Sequence, residues 1–171
     1  AFTSTESSTI NPGPAPRIAL NGSSVVLEPT GTSAFSVTVR DAWGNAAAGA
    51  PSWSVGAGGG AINSSGVFTA GTTTGTYSDT VQVSQAGLSA TATVTIDPGP
   101  ATTLLLNSAS VALAPTATFQ FSATVEDAWG NATADTFAWN VGAGGGSINS
   151  SGLFTAGTVA NTFIDTVSVS A

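Results

Sequence analysis

Nine carboxylates carry nearly all the proton chemistry this sequence offers: Glu6, Glu28, Asp41, Asp79, Asp97, Glu126, Asp127, Asp135 and Asp165. The chain contains no His, Cys, Met or Lys, and its two basic residues are Arg17 and Arg40. Ser–His and Cys–His nucleophilic pairs, imidazole and thiolate metal sites, Schiff-base lysines, lysine isopeptide bonds and disulfides are therefore excluded. What remains is hydrolysis by two carboxyl groups converging in a cleft, or a cation held by oxygen alone. Asp41 recurs as Asp127, and Asp79 as Asp165, at equivalent points of one repeated pattern. Such recurrence points to turn structure, so neither an enzymatic activity nor a cofactor is expected. Asp41 with Asn45, and Asp127 with Asn131, set oxygen ligands four residues apart, short of the six or more that calcium takes. An Asx-type turn with Gly44 or Gly130 at positive φ is the stronger reading, and no metal is expected. The glycine run "GAGGG" lacks the helix and Lys of a phosphate loop and reads as a strand-connecting turn. Asn21, Asn63, Asn131 and Asn149 head N-x-S/T triplets and are candidate glycan acceptors.

Composition narrows the class further. Hydrophobic residues make up 42% of the 171, enough for a packed core, while charged residues make up only 6%. Serine and threonine, 48 in all, must supply most of the wetted surface. Such a composition is ordinary for a secreted, β-rich structural protein, and an extracellular, cell-surface location is the expectation. A net charge of −7 leaves no basic face for nucleic acid and little attraction to an anionic membrane. No run of about 18 apolar residues offers membrane insertion. No signal peptide is visible, which fits a mature form or a piece of a longer protein.

An internal repeat organises the chain. "DAWGN", "VGAGGG", "INSSG" and "FTAG" each occur twice, always 86 residues apart, and residues 12–85 match 98–171 at 46 of 74 positions. Each copy alternates apolar and polar residues at the period of a half-buried strand. Phe35, Val37 and Val39 share one face of "SAFSVTVR", and Phe119, Phe121, Ala123 and Val125 do so in the second copy. Turn-forming clusters separate the strands, and no capped helical period appears. About seven short strands per copy, with a single Trp in one of them, predict a Greek-key β-sandwich. The expected division is a strand at 1–11, a first domain at 12–97 and a second at 98–171.

The D-x-x-G-N turn, the glycine triplet and the "GVFTAG" hairpin resemble bacterial immunoglobulin-like domains, the tandem repeats of invasin- and intimin-type surface proteins. The resemblance covers both copies and implies two immunoglobulin-like sandwiches that serve as stalks, spacers or adhesive modules. Trp43 and Trp129 depart from it, standing where such domains often carry a smaller residue. In their loops they are expected to pack at module junctions or to stack on cell-surface or matrix glycans.

The two copies end differently. The first closes with "GLSATATVTID", whose Leu88, Ala90, Ala92, Val94 and Ile96 form an apolar face suited to a last strand. The second reaches Ala171, the counterpart of Gln85, without it. Shifted by the same 86 residues, the segment Ala1–Asn11 falls on Gly87–Asp97, Phe2 on Leu88 and Ile10 on Ile96, and "NPGP" falls on "DPGP". The expectation is therefore a filament subunit that polymerises with identical subunits, head to tail, by strand exchange of the pilin donor-strand kind. The N-terminal strand would turn Phe2, Ser4, Glu6, Ser8 and Ile10 into a groove lined by Val111, Leu113, Phe121, Phe163, Val167 and Val169. Glu6 is costly there unless paired or wet, and a slip of one residue would instead turn Thr3, Thr5, Ser7 and Thr9 inward. The alternative is a slice of a long tandem stalk, since two periods span 172 residues and a continuous chain would supply the strand itself.

Overall fold

The structure is a computed structural model that describes residues 3, 5–11, 13, 17–47, 49–56, 58–142 and 144–171. It divides into two units, Ala1–Asp97 and Pro98–Ala171. Both are all-β, and no helix occurs among the described residues. Each is built of paired β-sheets, and among the described residues the second has no counterpart of the first unit's last strand.

In the first unit, β1 (Arg17–Leu20) pairs antiparallel with β4 (Val37–Arg40). A three-stranded sheet runs β3 (Thr32–Ala34), β7 (Val67–Ala70), β6 (Gly60–Ile62). A four-stranded sheet runs β2 (Ser24–Leu27), β9 (Leu88–Ile96), β8 (Gly75–Gln85), β5 (Ser52–Val55). Here β9 is the central plank. It lies antiparallel to β8 and parallel to β2, opposing Val94 to Val25 and Ile96 to Leu27. The core cluster joins Phe35, Phe68 and Ala70 to Val81, Ala92, Val94 and Ile96, with Trp53 packed against it. Three of those seven core residues belong to β9.

The single strand expected over "SAFSVTVR" is two strands. The chain breaks at Phe35–Ser36 and passes from β3, paired with β7, to β4, paired with β1. Asn21 holds the break: its Oδ1 accepts Ser36 N–H at 3.0 Å and its Nδ2 donates to Ala34 O at 3.2 Å. Alternation survives the break because Phe35 and Val39 still turn inward, so period two conceals a change of sheet. The same break falls at Phe121–Ser122 in the second unit, with Asn107 in the role of Asn21.

The second unit repeats this frame 86 residues on. β10 (Ala101–Leu106) pairs with β12 (Ala123–Asp127). β11 (Thr118–Gln120), β15 (Leu153–Ala156) and β14 (Gly146–Ile148) form the three-stranded sheet. Only β13 (Ala138–Val141) and β16 (Val167–Ser170) remain of the four-stranded one.

Candidate strand-acceptor site

The first unit shows what the second has lost, residue by residue. Val25 and Leu27 lie in β2, whose only strand partner among the described residues is β9. Their counterparts Val111 and Leu113 lie in a segment that forms no strand. Gly75–Tyr77, at the start of β8, pair among the described residues only with Val94–Ile96 of β9. Their counterparts 161–163 form no strand either. Val81–Ser84 pair with β5 as well as with β9, and their counterparts 167–170 keep the strand, against β13. So the second unit retains strand wherever a second partner exists and loses it wherever the partner was β9 alone. An unpaired strand edge carries backbone donors and acceptors that only water or another strand can satisfy.

Burial follows the same rule. Val81 and Val83 are buried in the first unit, but Val167 and Val169 are only half-buried. Where β9 would lie, the second unit has a groove of 590 Å³. Val111, Leu113, Phe121, Phe163 and Val167 line it, together with Phe154 from the opposite sheet. Val169 does not line it; it lies further along β16, opposite Trp139. The ring of Phe163 rests on Gly145, where an added Cβ would come within 3.1 Å of it, and this close packing is one use of the glycine run. Ile164 stands 81% exposed at the rim.

Of the expected donor residues, Glu6, Ser8 and Ile10 are exposed, Ile10 by 91%. Phe2 and Ser4 lie outside the described residues. None of the described residues of the segment 3–11 is in a strand.

The "DAWGN" turns have a role that spacing alone did not reveal. Asp41 Oδ1 accepts the N–H groups of Trp43 (2.9 Å) and Asn45 (2.8 Å). Its Oδ2 accepts Asn45 Nδ2 at 3.0 Å and Gly13 N–H at 2.9 Å. Asp127 repeats all four bonds, with Gly99 N–H at 3.0 Å in the place of Gly13. Trp43 covers Gly13 so closely that a Cβ there would sit 2.5 Å from the ring, and Trp129 covers Gly99 at 3.2 Å. Each turn thus grips a glycine of its own unit, Gly13 or Gly99, and leaves little room for a side chain beneath the indole. With four N–H donors each, the carboxylates are occupied by the protein itself. Among the described residues no three metal-ligating side chains gather. Trp43 remains 76% exposed on its outer side.

Burial by the surrounding loop would raise the Asp127 carboxyl, but bonds from the Asn131 side chain and from the Asn131, Gly99 and Trp129 N–H groups outweigh it and hold the pKa at about 2. Asp41 is lowered by the same set of donors. A depressed carboxyl stabilises the fold above its unfolded pKa of 3.8 and loses that contribution as pH falls toward 2. The expected result is a grip that is constant from neutrality to about pH 4 and releases as pH falls through about 2. The amide proton shift of Gly99, followed by NMR, reports it; a transition near pH 5 would contradict the bonding.

The four candidate glycan acceptors differ in what their amides do. Asn131 Nδ2 donates to Asp127 and Asn21 Nδ2 to Ala34 O. Asn63 and Asn149 are exposed, and their turns use Oδ1, which accepts the N–H groups of Ser65 and Val67 or of Ser151 and Leu153.

No protein-family model and no curated protein sequence matches the chain. Among solved structures, domains 5–6 of the S-layer protein SbsC are similar over 86% of this chain and 86% of that one, at 18% identity and a TM-score of 0.43. Domains 1–6 of SbsC are similar over 94% of this chain, which spans 26% of that one, at 17% identity and a TM-score of 0.44. FdeC, an Escherichia coli adhesin, is similar over 90% of this chain and 62% of its own, at 19% identity and a TM-score of 0.42.

Proposed function

We propose that this chain is an extracellular structural subunit whose second unit is completed by the segment Ala1–Asn11 of another copy, building a head-to-tail filament. One observation carries the reading: the second unit loses strand only at residues whose counterparts depend on β9, and opens a groove in β9's place. The occupant follows from the repeat. Ala1–Asn11 stands to Pro12-Gly13-Pro14 as β9 stands to Pro98-Gly99-Pro100. Each glycine is held by the "DAWGN" aspartate of its own unit, Gly13 by Asp41 and Gly99 by Asp127. The contact is heterologous, so it propagates. Surface scaffolding or adhesion is the corresponding role, with Trp43 open to stack on glycans.

Deletion of residues 1–11 tests the reading. The truncated chain is expected to form no filaments, and a peptide of sequence Ala1–Asn11 is expected to bind its second unit and stabilise it. Filaments of normal length from the truncated chain, seen by electron microscopy, would end the proposal. In a longer tandem array, the strand that follows in the same polypeptide would fill the same groove. A mass near 16.6 kDa for the dissociated subunit supports the separate-subunit reading, and a multiple of it supports the array.

A further inference from the structure

We infer that Asp165 sets the register of the incoming strand by reading Thr5 and Ser7, an inference that rests on the strand-exchange reading above. The first unit displays the contact. β8 bulges between Tyr77 and Val81, and Asp79, within the bulge, sits at φ 52°. This left-handed conformation is uncommon for any residue with a side chain, though Asp tolerates it better than most. Two threonines of β9 meet it there. Thr91 Oγ1 donates to Asp79 Oδ1 at 2.7 Å, and Asp79 N–H donates to Thr93 Oγ1 at 3.3 Å. One carboxylate and one amide thereby fix two positions of the last strand, alternate residues on its outer face.

Asp165 keeps the same conformation, φ 51°, without the strand that explains it. Its carboxylate is exposed and accepts no hydrogen bond from the described residues. The 86-residue shift that places Phe2 on Leu88 also places Thr5 on Thr91, Ser7 on Thr93 and Thr9 on Thr95. The incoming segment therefore carries hydroxyls at both positions that Asp165 is shaped to meet. Thr5 would donate to the carboxylate, and Ser7 would accept the Asp165 N–H.

The same geometry rejects the slipped alternatives. Moving the strand one residue in one direction puts Glu6 at the position of Thr91; moving it the other way puts Glu6 at the position of Thr93. Either slip brings a second carboxylate against Asp165, where like charges repel. The polar residue that is awkward in the groove is thus also the one that makes both neighbouring registers unfavourable.

The test uses the full-length chain carrying Phe2→Asp and Ile10→Asp, which removes competition from its own N-terminal segment, titrated with peptides of residues 1–11. The native peptide is expected to bind. Thr5→Val in the peptide, or Asp165→Asn in the chain, is expected to weaken binding about tenfold. The two changes together are expected to weaken it no further than one alone. Register is read separately by disulfide formation in this cysteine-free protein. In the first unit Ser89 pairs with Ser84, so a Thr3→Cys peptide is expected to cross-link to Ser170→Cys, and Ser4→Cys is not. Asp165→Asn, which retains the turn, is expected to let the Ser4→Cys product appear. If the native peptide does not bind, strand exchange itself fails. If it binds, but Thr5→Val and Asp165→Asn leave both affinity and cross-linking unchanged, strand exchange stands and the register role of Asp165 is overturned.

Discussion

Appending the sequence of Ala86–Asp97 after Ala171 is expected to turn the chain into a stable monomer that no longer assembles. Ala171 is the counterpart of Gln85, so the added residues meet the second unit as β9 meets the first. In the first unit the chain reverses at Ala86 and Gly87, with φ of 54° and 78°, the conformation of a two-residue hairpin turn. The added strand would cover Val111 and Leu113 and restore a partner to residues 161–163. Val94 and Ile96 are fully buried in their native setting, and burying such side chains contributes about 1.5–3 kcal/mol each. Their copies should add about 3–6 kcal/mol to the second unit, a sizeable part of the ~5–15 kcal/mol of a whole domain. For a unit of this size that raises Tm by on the order of 15 °C or more. Calorimetry and electron microscopy check both halves of the expectation. An extended chain that melts unchanged, or still forms filaments, would show that the groove is not a strand site.

The groove was legible in the sequence because the repeat supplies its own reference. Val111, Leu113, Phe121, Phe163 and Val167 are expected at an acceptor groove from the apolar alternation together with the resemblance to immunoglobulin-like topology, and all five line the pocket. Val169 lies outside the pocket itself, although its counterpart Val83 pairs with Ala90 of β9 as well as with Trp53. The break at Phe35–Ser36 was invisible in the sequence. Phe35 and Val39 turn inward on both sides of the sheet change, and the Asn21 side chain that marks it lies fourteen or so residues upstream. The grip of Asp41 on Gly13 and of Asp127 on Gly99 spans 28 residues. Both partners are conspicuous as repeated motifs, but nothing local joins them. Asp79 and Asp165 also repeat visibly, yet only the bulge at φ near 50° shows why Asp stands there.

Glu6→Ala is expected to strengthen assembly, and this separates the inward from the outward placement of Glu6. In the aligned register Glu6 takes the place of Ala92, which is 1% exposed and pairs with Val81 in the core of the first unit. Its counterpart partner, Val167, lines the groove. A carboxylate moved from water into such a place loses hydration that no described groove residue is basic enough to replace; the two arginines, Arg17 and Arg40, both belong to the first unit. The effective penalty for one buried ion is several kcal/mol. Removing the charge should therefore lower the dissociation constant of the 1–11 peptide by on the order of 100-fold, and lower the critical concentration for filament growth in step. The same change removes the like-charge penalty on slipped registers, so tighter binding should come with a less uniform pattern of Thr3–Ser170 cross-links. A Glu6→Ala peptide that binds no more tightly would place the side chain in water and the strand in the other face. Tighter binding with unchanged cross-linking would show that Asp165 and its two hydroxyl partners hold the register without help from Glu6.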